Sequence, residues 1–156
     1  MEKKTIAIGV DHGGLMLKVE LTNYIIGLGH TVCDLGTFDE LSVDYPDYAY
    51  KVAEALHQGR ADVGLVVCGT GIGMSIAINR FPWIRAGLCH DVTTARLARE
   101  HNDANVLALG ARLIGGELAK ECLTVFLQTE FEEGRHAQRV QKLNAPPVLD
   151  GSNNAA

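Results

Sequence analysis

The sequence predicts an α/β domain with a five-stranded parallel sheet covered by helices on both faces. Three observations lead there. Short apolar runs recur along the chain, and each stops at Gly, Asp, His or Cys. Between them lie segments with apolar residues at helical spacing, several opened by Asp or Pro and closed by Gly. At 156 residues the chain has the size of one domain. Strands alternating with helices form parallel βαβ units.

Taken in order, "TIAIGV" (5–10) reads as a buried strand. In 14–29, apolar residues at 15, 17, 21, 25, 26 and 28 suit a helix closed by glycine. "TVCDLG" (31–36) is strand-like. "PDYAYKVAEALHQG" (46–59) has Pro at its start and Gly at its end, the expected helix asymmetry. "DVGLVVCG" (62–69) is the central strand, with a short helix from about Gly73 to Asn79. "IRAGLCH" (84–90) is a strand. "DVTTARLAREHN" (91–102) is a helix capped by Asp91. "NVLALG" (105–110) is the fifth strand. Helices follow over 115–131 and 133–143. The tail 144–156, which bears Pro, Asn and Gly, reads as flexible beyond a single domain of residues 1–143.

Composition narrows the function. With 14 Lys+Arg and a net charge of −5, general nucleic-acid binding is disfavoured. No apolar run approaches the ~20 residues of a membrane span, and the start lacks a secretory pattern. The expectation is a cytoplasmic protein. Cys33, Cys68, Cys89 and Cys122 lie far apart without a CxxC pair, so free thiols are expected and no metal set is visible.

In an open parallel sheet the ligand lies beyond the carboxyl ends of the strands. The residues that fall there include Asp11 to Gly14, Cys68 to Gly71, His90-Asp91 and Gly110 to Arg112. The alternating glycines Gly69, Gly71 and Gly73 offer backbone amides to an anion, or serve only a tight strand–helix turn. As a dinucleotide fingerprint the loop is imperfect. Met74 stands where the third glycine belongs, although Asp91 lies about where a ribose-binding acid is expected. The chain is also short for two mononucleotide-binding halves and a catalytic domain.

Cys68, at the strand–helix junction, reads either as a general base eased by amides and the helix dipole or as a small apolar strand end. Cys33, Cys89 and Cys122 read as core. Asp11-His12 follows the first strand, and His101-Asn102 closes the fourth helix. There a charged histidine is favoured by the dipole and can act as an acid. The alternative is a surface histidine with Asn102 as the C-cap. Arg135 and Arg139, spaced i,i+4 with His136 between them, suit an oxyanion clamp or a solvated helix face. Base, acid, amide nest and phosphate clamp together fit proton transfer beside a carbonyl on a phosphorylated small molecule.

Five stretches, "IGVDHGG", "VDYPDYA", "CGTGIGMSIAINR", "AREHNDANVLALGAR" and "EGRHAQRV", span residues 6 to about 143. In them the chain resembles the ribose-5-phosphate isomerase B / galactose-6-phosphate isomerase family. The resemblance implies a Rossmann-like three-layer sandwich and a cofactor-free, metal-free aldose–ketose isomerase. It also implies a homodimer or dimer of dimers with active sites shared between subunits. Ribose 5-phosphate is the default substrate; erythrulose 4-phosphate and allose or galactose 6-phosphate are the alternatives.

Residue by residue, Cys68 resembles the base and Thr70 with the Gly69, Gly71, Ile72 and Gly73 amides the enediolate cradle. Some branches use a Glu near the position of Ser75. His101 resembles the ring-opening residue and Asp11 its helper. Asn102 resembles a substrate hydrogen-bonding residue, and Asp44 a residue near the base. His12, Arg112, Arg135, His136 and Arg139 resemble the phosphate-binding set. Trp83 departs from the small residue more usual there. The competing readings are a nucleotide-binding domain without catalysis and a non-catalytic partner subunit of a heteromeric isomerase.

Overall fold

Five parallel strands form one sheet in the order β2-β1-β3-β5-β4. They are β1 (Thr5–Val10), β2 (Thr31–Asp34), β3 (Val63–Cys68), β4 (Ala86–Leu88) and β5 (Val106–Gly110). The helices are α1 (Leu15–Gly27), α2 (Tyr45–His57), α3 (Ile72–Ile78), α4 (Val92–Asn102), α5 (Gly116–Gln128) and α6 (Gly134–Asn144). This computed structural model describes residues 2–149.

Alternation along the strands decides which helix covers which face. Ile6, Ile8, Val10, Leu65, Val67, Leu107 and Leu109 point one way and pack with Leu21 and Ile25 of α1 and Leu123 and Phe126 of α5. Their neighbours Ala7, Val66, Cys68 and Ala108 point the other way, toward Val52 and Ala53 of α2 and Met74 and Ile78 of α3. That second face is built from small residues because α2 lies close. A Cβ on Gly9 would stand 2.7 Å from the Tyr48 carbonyl oxygen, and one on Gly64 would stand 2.9 Å from Val52 Cγ1. Helices α1 and α5 on one face and α2 and α3 on the other make the three layers of the sandwich.

The elements match the sequence reading with shifts of a few residues. A 3-10 turn, His12–Gly14, precedes α1. α3 starts at Ile72 rather than Gly73, β4 is confined to three residues, and α5 ends at Gln128. α6 retains Asn144; residues 145–149 carry no helix or strand and are exposed. The rest of the expected tail, 150–156, lies outside the described residues. Trp83 stacks on His57 at 4.2 Å, tilts against Phe81 and donates from Nε1 to the Ala53 carbonyl, so it fixes packing within the chain. No described helix is long and apolar enough to cross a membrane.

Candidate active site

The sheet order reverses between β1 and β3, since β1 continues to β2 on one side and the chain returns as β3 on the other. Loops leaving the carboxyl ends of two such strands diverge to opposite faces and leave a crevice. Asp11 and His12 stand on one lip, Cys68 and Gly69 on the other.

Asp11 is buried, and its Oδ1 accepts from the amides of Gly13 at 2.9 Å and Gly14 at 3.2 Å. One carboxylate oxygen thus shapes the loop. The two lips touch: a Cβ on Gly13 would come within 3.3 Å of the Gly69 nitrogen. His12 Nδ1 accepts from the Val43 amide at 3.3 Å, which ties the loop to the segment carrying Asp44. Asp44 sits at the N-cap of α2 but makes no capping bond with its side chain.

Cys68 is the last residue of β3 and faces the small-residue side, nearly buried. The Gly71 amide donates to its Sγ at 3.1 Å. Gly71 adopts φ +76, a conformation that L side chains rarely take, and that turn aims the amide back at the sulfur. The Ile72 amide donates to Thr70 Oγ1 at 3.3 Å. Two amides of the glycine loop are therefore turned toward its own side chains. Arg112 covers the loop from β5: its amide donates to the Gly69 carbonyl at 2.9 Å, and its guanidinium would lie 3.2–3.3 Å from a Gly69 Cβ.

Tyr45 escaped the sequence reading. Its ring lies over Gly73, where a Cβ would meet it at 2.7 Å, so only glycine admits this ring beside the loop. The signal was the adjacency of Tyr45 to Asp44 in "VDYP", which does not by itself show the contact with Gly73.

The remaining candidates lie at the opposite, amino end of the strands. Helix α4 runs back against the strands, so His101 and Asn102 sit just ahead of Val106, where β5 begins. Cys68 pairs with Gly110, where β5 ends. Four residue steps of about 3.3 Å put roughly 13 Å of strand between the two groups. The combination of Cys68 and His101 in one device therefore fails within one chain. Asp103, not Asn102, takes the left-handed C-cap of α4, at φ 44 and ψ 45. Arg85 Nη2 bonds its carboxylate at 2.8 Å and Arg99 Nη1 bonds the other oxygen at 2.9 Å.

Helix α6 packs on this end of α4. The His101 and His136 rings stack with centroids 4.3 Å apart and planes 9° apart. His136 and Val140 are buried, while Arg135 and Arg139 on the adjoining face are exposed. Burial, then the nearby His101, Arg135 and Arg139, holds the His136 imidazolium below the usual histidine range. Asp91 is no ribose ligand: its carboxylate caps α4, accepting from Thr94 N at 2.8 Å, and these bonds lower its pKa. Burial pushes the Cys89 and Cys122 thiols up to about 11, in keeping with core roles.

Two cavities reach candidate residues. One of about 660 Å³ follows α2 and is lined by Asp44, Asp47 and Glu54 against a single lysine, Lys51. Another of about 460 Å³ lies between the start of β4 and Asn102. Cys68 lines neither of the two.

A switch-point crevice carrying a thiol and an amide turn, with a His–Arg cluster elsewhere on the chain, belongs to a class of α/β enzymes that comparison makes specific. The Ribose/Galactose Isomerase family model matches residues 6–143, and the chain belongs to that family. It is 46% identical over 142 residues to a ribose-5-phosphate isomerase B of Escherichia coli, covering 91% of this chain and 95% of that one. It is 45% identical over 141 residues to a D-erythrulose-4-phosphate isomerase of Pectobacterium atrosepticum, covering 89% and 92%. The crystal structure of a ribose 5-phosphate isomerase from Thermotoga maritima superposes with a TM-score of 0.90 at 50% identity, covering 92% of this chain and 99% of that one. The chain is a sugar-phosphate isomerase of the aldose–ketose type.

Proposed function

We propose that residues 1–143 form one isomerase domain that interconverts ribose 5-phosphate and ribulose 5-phosphate in the cytoplasm, at sites shared by two copies of the chain. The observation that carries the shared site is the placement of Cys68 and His101 at opposite ends of β5. One copy supplies the crevice and the other the His–Arg cluster. Exposed Tyr45, Ile72 and Ile76 beside the crevice offer apolar surface for the pairing.

His101 takes the proton of the anomeric hydroxyl and, helped by Asp11 at the ring oxygen, delivers it to that oxygen as the bond from C1 to the ring oxygen breaks, and the sugar opens. The Cys68 thiolate then removes the proton from C2. Charge passes to the C1 oxygen, where the Thr70 hydroxyl and the loop amides stabilise the enediolate, with the Gly71 and Ile72 amides exchanging their present side-chain partners for it. Cys68 returns the proton to C1, and the hydroxyl proton moves from O2 to O1. Atoms and electrons balance without an added redox partner. His12, Arg112, Arg135, His136 and Arg139 hold the phosphate, with Asn102 and Asp44 positioning the sugar. The joined presence of Cys68, Thr70 and His101 favours a working subunit over a catalytically silent partner.

The Pectobacterium relative supports a four-carbon substrate as the second reading, and the galactose branch of the family a six-carbon one. The test is a panel of four-, five- and six-carbon sugar phosphates assayed with the purified chain. The highest kcat/KM is expected on ribose 5-phosphate; a higher value on another member reassigns the substrate. Stabilisation by NAD or ATP and not by any sugar phosphate would restore the nucleotide-binding reading.

A further inference from the structure

His101, Glu132 and His136 present one ligand atom each, all within 4.8 Å of one another. They come from three segments that the fold locks together. Glu132 belongs to the turn before α6, and its amide donates to the Glu100 carbonyl of α4 at 3.0 Å. His101 is in the last turn of α4, and His136 is in the first turn of α6, stacked against it. Glu132 Oε2 lies 3.8 Å from His136 Nε2. Two imidazoles and a carboxylate at such spacing form the donor set that zinc and its first-row neighbours select. Metal–ligand bonds of about 2.0–2.2 Å require the three atoms to close by roughly 1 Å. The His101 and His136 rings are stacked 9° from parallel, so a shared ion also requires the half-buried His101 ring to turn out of the stack, while the exposed Glu132 side chain moves in. The present partner of His136 Nε2 is Arg135 Nε at 3.3 Å, a long contact that a metal displaces readily.

We propose that His101, Glu132 and His136 bind a divalent transition-metal ion of the zinc type, and that this binding inhibits the enzyme. The consequence for activity rests on the proposed function, because the ion occupies the ring-opening histidine and one phosphate-binding histidine together. The binding itself does not rest on it.

The probes are Zn2+ by calorimetry and Co2+ by its visible absorption, on the full chain, with Glu132→Gln as the variant. Glu132 has no part in the proposed chemistry, and its side chain is exposed, so the variant is expected to fold and to keep its basal turnover. The expected result is one ion per chain, at least tenfold weaker binding in E132Q, and inhibition of the wild type by Zn2+ that a chelator reverses. Competition between Zn2+ and the sugar phosphate is expected as well. No saturable binding overturns the site. So does binding unchanged in E132Q but lost when the free thiols are alkylated, which would place the ion on cysteine. Binding weakened in E132Q without inhibition keeps the metal site and overturns the link to activity.

Discussion

The rings of His101 and His136 lie face to face, 4.3 Å between centroids and 9° between planes, and so join the end of α4 to α6. The contact brings a candidate acid and a candidate phosphate ligand into one unit, with Arg135 and Arg139 exposed at its rim. It also buries His136, whose charged form is disfavoured by that burial and by the surrounding cations.

The pH dependence of stability follows. The unfolded histidine titrates near 6.5, and the folded value lies below it. Between the two, the unfolded chain holds a proton that the native state does not. Stability therefore falls as pH drops through about 6.5 and levels off below the folded value. Urea melts of the wild type and of His136→Asn, compared from pH 8 to pH 5, are expected to show the wild type losing more. An NMR titration of the His136 ring with a midpoint above 6.5 contradicts this.

Cys68→Ala is expected to lower kcat by at least 10³-fold, the upper part of the range for a proton-transfer group, while a sugar phosphate still binds. Exchange of the C2 hydrogen with solvent deuterium should disappear in the variant. Undiminished exchange removes Cys68 from the base role.

Sharing of the site is checked by complementation. Cys68→Ala and His101→Asn chains are each expected to be inactive. In a statistical one-to-one mixture half of the dimers are mixed, and each mixed dimer has one site with both residues intact. About one quarter of wild-type activity should return. Activity that stays at the level of the separate variants refutes the shared arrangement.

Gly71→Ala is expected to cost about 2 kcal/mol from the positive φ alone. More is lost because a Cβ there would stand 2.6 Å from Leu88 Cδ1 and 2.8 Å from the Leu109 carbonyl carbon. A melting temperature lower by roughly 4–8 °C is the corresponding readout. Turnover should fall further than stability, since the same turn aims an amide at Cys68.

Thiol labelling separates the cysteines. At pH 8, thiols displaced to about 11 are about 0.1% ionised, so Cys89 and Cys122 should stay unmodified in the native protein. Cys33, which is half-buried, is expected to react before Cys89 and Cys122. Rapid modification of Cys122 would show that the α5 face opens.

The sequence by itself determined the strand–helix alternation, because buried strands need apolar runs and helices need a stripe at their own period. It also showed the alternating glycines of the loop, while only the structure shows why they must be glycine: φ +76 at Gly71 and the close ring of Tyr45 at Gly73 leave room for no side chain. Cys68 and Asp11 were legible as edge residues because a strand's carboxyl end can be read from where its apolar run stops. Tertiary structure alone decided what those residues meet. Helix α4 runs antiparallel to the strands, so His101 is carried to the far end of β5 while Cys68 stays at the near one. The fate of Asp91 as a cap, the C-cap at Asp103 and the contact between Gly13 and Gly69 are equally products of packing. Local periodicity encodes the elements, but which ends of two elements meet depends on chain direction and long-range contact, and no short stretch of sequence contains those.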